Sequence, residues 1–361
     1  MSLLTTNYLT PTGREEAWRF TPLKRLAGLH DLTSQVSDRI SLTGKNSLPT
    51  GVTLAIANAA DHPPAYASND LITNRIREKI EKVLVLSIAK DVELTEPIIL
   101  NRSCTDSAEL SRVVILAGVN SKSTVIIENV GRGVVGEEIE ISLASGASLS
   151  FVSLQEWDRS AVHLAQHHAV VGKDAHFTSY VVSVGGSVVR INPTVEFTGA
   201  GAFADLYGIY FATDGQHLEH RIHINHGVAN AKSRVNYKGA LAGDEARTVW
   251  IGDVYIHKVA EGTDTYELNR NLLLTDGARA DSVPNLEIET GEIVGAGHAS
   301  TTGRFDDEQL FYLQSRGIPA DIARRLVIRG FFAEIISKLK NETLEERLMS
   351  RIDDELAKVG Q

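Results

Sequence analysis

The chain has 361 residues, with 36 Lys or Arg against 46 Asp or Glu, a formal net charge of −10. Its 43% hydrophobic and 23% charged residues are ordinary for a globular protein, which excludes wholesale disorder, and the acidic balance argues against nucleic acid as a main partner. The one cysteine, Cys104, excludes an intramolecular disulfide and a four-thiolate zinc or iron–sulfur site, and suggests a reducing compartment.

Met1–Tyr8 has no basic n-region and no long apolar stretch, so no secretory signal is expected. No apolar run approaches the roughly 18 residues that a membrane span needs. A cytoplasmic protein without a membrane segment is expected. Roughly 150 residues per domain predicts about two or three units, and the composition divides the chain into three zones. Residues 1–83 are mixed, with helical pieces around Arg14–Phe20 and Asn74–Val83. Residues 84–297 are rich in Val, Ile, Gly, Ala, Ser and Thr. Short segments there are bounded by turn residues: Val83–Ile88, Arg112–Leu116, Thr124–Glu128, Glu138–Leu143, Ser148–Leu154, Thr178–Val184 and Val249–Ile256. These read as strands with no helical pattern between them, which leaves a sandwich, a barrel or a solenoid.

An Ala after a turn residue recurs at the start of these strands, in Gly146-Ala147, Asp174-Ala175, Phe203-Ala204, Asn230-Ala231 and Glu245-Ala246. The spacings are 28, 29, 27 and 15 residues, which fits coils of a β-helix better than an irregular sandwich. A solenoid exposes edge strands at its ends, and helical zones at both termini are expected to cover them. The third zone, 298–361, is the clearest helical one. Asp306 reads as an N-cap with Gln309 at the capping-box position, Gly317 as a stop and Pro319 as a new start. Ala323, Val327, Phe331, Ile335 and Leu339 then form one apolar stripe, Leu326, Ile328, Phe332 and Ile336 widen the apolar surface beyond one face, and Leu344–Val359 forms a second, amphipathic helix. This apolar surface either packs on the β domain or meets a partner.

Twelve histidines invite a metal reading. His217, His220, His223 and His226 are spaced by three, but in a strand His220 and His226 lie on one face and His217 and His223 on the other. His163, His167, His168 and His176 match no metalloenzyme motif. No G-x-S-x-G elbow and no P-loop is present. Gly199-Ala200-Gly201 lacks the helix of a dinucleotide site, and Asp306-Asp307 and Asp353-Asp354 read as caps or solvated charges.

Three stretches remain: Pro284-Asn285-Leu286-Glu287-Ile288, Gly297-His298-Ala299-Ser300-Thr301-Thr302-Gly303-Arg304, and the run from Asp306 to Ile318. They resemble the signature of the SufB/SufD family, the scaffold subunits of SUF iron–sulfur cluster assembly. Gly13–Leu23, Asn236–Leu241 and Asn269–Leu274 are similar to further family motifs. Asn269 stands where SufB-type members carry a scaffold cysteine, and Ala299 stands where they carry Glu, so the resemblance points to the SufD side. Ala296 replaces a Cys frequent among SufD-type members, and the N-terminal domain looks abbreviated.

The resemblance implies a mainly β fold, a right-handed parallel β-helix flanked by helical segments. It implies a non-catalytic scaffold that pairs with SufB and docks the ATPase SufC through its C-terminal helices. Phe311, Tyr312, Arg316, Val327, Phe331 and Ile335 are the expected docking residues. His298 is the candidate ligand for iron or a cluster, since imidazole can replace thiolate there but needs a partner's donors beside it. No cofactor is expected to bind tightly to the isolated chain. Iron or a cluster is expected transiently in the complex, and a flavin has no motif here. An unpartnered edge also allows a homodimer. Two other classes stay open on the residues alone: a polysaccharide-active β-helix enzyme, and a homo-oligomeric metal binder using His217–His226.

Overall fold

Consecutive strands of the middle zone lie on opposite walls of a parallel solenoid. The computed structural model describes residues 10–358 except 32, 34, 35, 38, 39 and 306. The first elements are β1 (Leu42–Gly44), β2 (Val52–Asn58), helix α1 (Leu71–Lys79), β3 (Lys82–Ile88), β4 (Ile98–Ala117) and β5 (Lys122–Leu143). The two long strands β4 and β5 each run along both walls. One wall then carries β6 (Ser148–Trp157), β8 (His176–Ser183), β10 (Phe203–Ala212), β12 (Lys232–Leu241), β14 (Asp264–Leu273) and β16 (Gly295–Arg304). The opposite wall carries β7 (Val162–Val171), β9 (Val188–Phe197), β11 (His217–His226), β13 (Arg247–Ile256) and β15 (Arg279–Ile288). All ladders from β3 onward are parallel, whereas β1 and β2 add antiparallel at the N-terminal end.

The alanine repeat marks the corners. Ala147, Ala175, Ala231 and Ala246 are buried, and each follows a residue with positive φ: Gly146 (68°), Asp174 (54°), Asn230 (59°) and Glu245 (58°). The third member is Ala202 after Gly201 (φ 74°); Ala204, two residues on, is a position within β10. The spacing of 15 between Ala231 and Ala246 is half a coil, because Ala231 opens β12 and Ala246 opens β13 on the other wall. At Gly131 (φ 93°), where β5 turns between walls, an added Cβ would collide with the Cys104 carbonyl oxygen.

Both walls are apolar on their inner face, and where helices cover them the outer face is apolar too, as parallel strands covered on two sides should be. Inward residues such as Val125, Phe151, Ile191, Leu206, Ile222 and Trp250 fill the lumen core. The outer face of the β6–β14 wall presents Val152, Leu154, Tyr180, Val182, Ile209 and Phe211. On it lie α3 (Ala320–Ile336) and α4 (Glu342–Lys358) through Ile328, Phe332, Ile335, Ile336, Leu344, Leu348 and Ile352. Buried Lys238 clamps α3, donating to the Phe331 carbonyl at 2.8 Å and to Glu334 Oε2 at 2.6 Å. Arg347 of α4 pairs with Glu128 and Glu156. On the opposite wall, Trp18, Leu26, Leu29, Ile72 and Ile76 cover Val83, Val85, Leu110 and Leu164.

Two expectations are corrected here. The terminal helices flank the walls instead of closing the C-terminal end, because the walls offer far more apolar surface than the end of a coil does. The buried face of α3 is Ala323, Ile328, Phe332, Ile335 and Ile336; of the expected stripe Ala323 and Ile335 are on it, whereas Val327 and Phe331 are half-buried at its edge. A step of four residues overshoots the 3.6-residue turn, so a fixed i+4 series drifts off the buried face. The helix α2 (Asp307–Ser315) stops at Gly317 (φ 84°), with Ile318 N–H donating to the Leu313 carbonyl at 3.2 Å. The expected caps at Asp306 and at the Gln309 side chain lie outside the described residues, as does Val359. Among the described residues no helix is long and apolar enough to cross a membrane.

Candidate functional site

The lumen carries polar residues at both ends of the solenoid, and the two ends differ in how well they are satisfied. Near the N-terminal end, Arg102 is fully buried and pairs with Glu137 at 2.5 Å and Glu109 at 3.0 Å. His163 Nε2 lies 3.3 Å from Glu137, and its Nδ1 lies 2.8 Å from Gln155 Oε1. Burial alone raises the Glu137 carboxyl, but Arg102 and His163 outweigh it and hold the group well below the usual carboxylate range. One guanidinium here serves two buried carboxylates, with an imidazole beside Glu137.

On the outer surface the 13–23 motif forms a comparable structure. Thr21 donates to the buried Glu219 at 2.9 Å, His217 Nε2 lies 3.0 Å from the same carboxyl, and Arg190 pairs with it at 3.3 Å while packing over the Trp18 ring at 4.4 Å. Despite burial, these partners lower Glu219 to about 2. The motif is thus a seat for the N-terminal segment on β9 and β11.

The C-terminal end is open. Strands β15 and β16 have one paired edge each, to β13 and β14, and no partner on the other among the described residues. Their side chains are largely exposed or half-buried. Inside this mouth a polar chain is satisfied link by link. Tyr210 donates to Asn271 at 2.7 Å, Asn269 donates to Tyr210 at 2.8 Å, Ser282 donates to Asn269 at 2.8 Å and Ser300 to Ser282 at 2.7 Å.

Two residues of the mouth stand apart. His298 is exposed on β16 and is the register neighbour of Glu267 on β14. Glu267 is 0% exposed, and neither of its oxygens has a hydrogen-bond partner among the described residues. Burial, with a smaller contribution from Asp253, raises its carboxyl to about 8.

The other predicted residues are spread over the C-terminal helices. Phe311 and Tyr312 of α2 are 72% and 57% exposed, and Arg316 lies over the Tyr312 ring at 5.3 Å. Ile322 and Leu326 add exposed apolar surface on α3. Val327 is half-buried. Phe331 and Ile335 face the solenoid, Ile335 being 1% exposed, which leaves Phe311, Tyr312 and Arg316 as the exposed members of the set. The histidines of β11 are divided between the two faces of the strand: His220 lies 3.0 Å from Ser183 and His226 2.9 Å from Ser233, both in the lumen. Among the described residues no three His, Cys, Asp or Glu side chains come together as a metal-binding group.

Sequence reasoning missed Glu267 and the buried run Glu137-Glu138-Ile139-Glu140, in which all three carboxylates are buried. The available signal for Glu267 was the alternation Thr265, Glu267, Asn269, Asn271, a polar period-two set that becomes luminal once the coil register is known.

Residues 99–331 match the family model described as SUF system FeS cluster assembly, SufBD core domain. An iron-sulfur cluster assembly SufBD family protein of Mycobacterium leprae is 45% identical over 356 residues, covering 96% of this chain and 90% of that protein. The iron-sulfur cluster assembly protein SufD of Escherichia coli is 24% identical over 389 residues, covering 96% and 89%. A chloroplastic protein of Arabidopsis thaliana, ABCI7, is 26% identical over 246 residues, covering 67% and 52%.

Proposed function

The chain belongs to the SufBD family of iron–sulfur cluster assembly proteins, and from that premise we propose that it is a non-catalytic, cytoplasmic scaffold subunit of the SufD type. It pairs with SufB through the open end of the solenoid and carries the ATPase SufC on its C-terminal helices. The cluster or its iron is cargo, held transiently between subunits with His298 contributing an imidazole.

The observation that carries this reading is the open mouth. A parallel solenoid whose last strands β15 and β16 have a free edge offers unpaired backbone donors and acceptors for strand addition. A second scaffold of the same family supplies the matching edge. Exposed His298 sits on that strand, so pairing places it at the seam. The separate apolar surface of Phe311 and Tyr312, with Ile322 and Leu326 on the next helix, supports a second docking site distinct from the seam. That division suits a subunit which contacts one partner by its sheet and another by its helices.

The test is co-purification of the tagged full chain with SufB and SufC from the same organism. Wild type is expected to bring down both. Phe311→Asp with Tyr312→Asp is expected to lose SufC and keep SufB. Capture of neither partner by the wild-type chain overturns the reading.

A further inference from the structure

The luminal position occupied by Glu267 can be followed coil by coil along the wall. Adjacent strands place Val125, Phe151, Ser179, Leu206 and Val235 in one register column, and the same column continues through Glu267 to His298. It is apolar apart from Ser179 for five coils and changes character at the last two. Strands lie about 4.8 Å apart, so Glu267 sits one strand below the opening and His298 at its rim.

Space for the carboxyl is built into the facing wall. Gly252 of β13 lies opposite, and a Cβ there would come within 2.6 Å of Glu267 Oε1 and collide with the Trp250 ring. The luminal polar groups Asn269, Asn271, Ser282 and Ser300 are hydrogen-bonded to one another. Glu267 alone is fully buried with both oxygens unpartnered among the described residues. Buried polar groups of this kind are costly and call for a missing partner. On this column the next residue toward the open end is the exposed His298.

We propose that Glu267 and His298 form a half-site for a first-row divalent cation at the luminal mouth, the carboxylate and imidazole acting on one ion. One carboxylate oxygen and one imidazole nitrogen suit a borderline cation such as ferrous iron. Two protein donors do not complete its coordination, so the remaining positions are open to the partner that covers the mouth. Glu267 thereby extends the proposed scaffold function, on which the identity of the ion as iron rests: it takes the cation inside the rim before the seam closes.

The probe is Co²⁺, titrated calorimetrically into the full-length wild-type chain, Glu267→Gln, His298→Ala and the double variant. Wild type is expected to bind one ion per chain. Each single substitution is expected to weaken binding at least about tenfold. The double variant is expected to lose much less than the product of the two single losses, because both donors act on the same ion. Glu267→Gln removes an unpartnered acid and is expected to melt no lower than wild type, so its loss of Co²⁺ reads as a lost ligand. Wild-type Co²⁺ affinity in Glu267→Gln overturns the proposal, as does no Co²⁺ binding by wild type. Either result leaves co-purification with SufB and SufC unaffected, whereas paired loss of Co²⁺ without complex formation removes the scaffold reading alone.

Discussion

Replacing Glu267 by Gln isolates the energetic cost of holding that acid in the lumen. Its ordinary value is 4.5, and in the folded chain burial and the nearby Asp253 raise it to about 8. Between these values the unfolded chain has released the proton and the folded chain retains it. Unfolding therefore loses a proton, and stability falls as pH rises through the window. The penalty is below about 1 kcal/mol at pH 5 and reaches about 3 kcal/mol at pH 7. Gln does not titrate, so the Glu267→Gln chain gains over wild type by about 2 kcal/mol more at pH 7 than at pH 5. This difference is independent of any constant packing offset between acid and amide. Urea unfolding of both chains at the two pH values, without added metal, reads it directly. A gap that is the same at both values, or larger at pH 5, refutes the assignment of Glu267 as an uncompensated buried acid.

Other outcomes follow from the packing. Phe332→Ala empties a fully buried position between α3 and the sheet and should cost about 3–5 kcal/mol, read as a lower midpoint of chemical unfolding. Glu137→Ala leaves the Arg102 guanidinium buried without its closest partner; a loss of about 3–5 kcal/mol is expected, seen as a lower melting temperature or poor soluble yield. Gly131→Ala puts a side chain into the Cys104 carbonyl at positive φ and is expected to lower stability by at least about 1 kcal/mol, measured in the same unfolding assay.

Much of the fold was legible because its signals are local. Asp174, Asn230 and Glu245 before Ala mark corners that need positive φ, and the near-28-residue recurrence follows from one coil per repeat. The alternation of β11 already placed His220 and His226 with Ile222 and Ile224, as the structure does. What could not be read depends on which coil stacks on which. Glu137, Glu138 and Glu140 look like a solvated acidic run until Arg102, Arg77 and Arg112 are brought against them from strands and a helix tens of residues away. Glu267 looks like one more surface acid until the register with Val235 and His298 turns it inward. The placement of the C-terminal helices along a wall also depends on the outward faces of five different strands summing to one apolar surface.

The most direct test of the scaffold account is cluster loading of the complex of this chain with SufB and SufC, wild type against His298→Ala. His298 is exposed, so the variant is expected to fold and assemble the same complex. Iron content and the cluster's visible absorbance are expected to fall to background in the variant while complex mass is unchanged. A His298→Ala complex that acquires cluster at the wild-type rate contradicts the account.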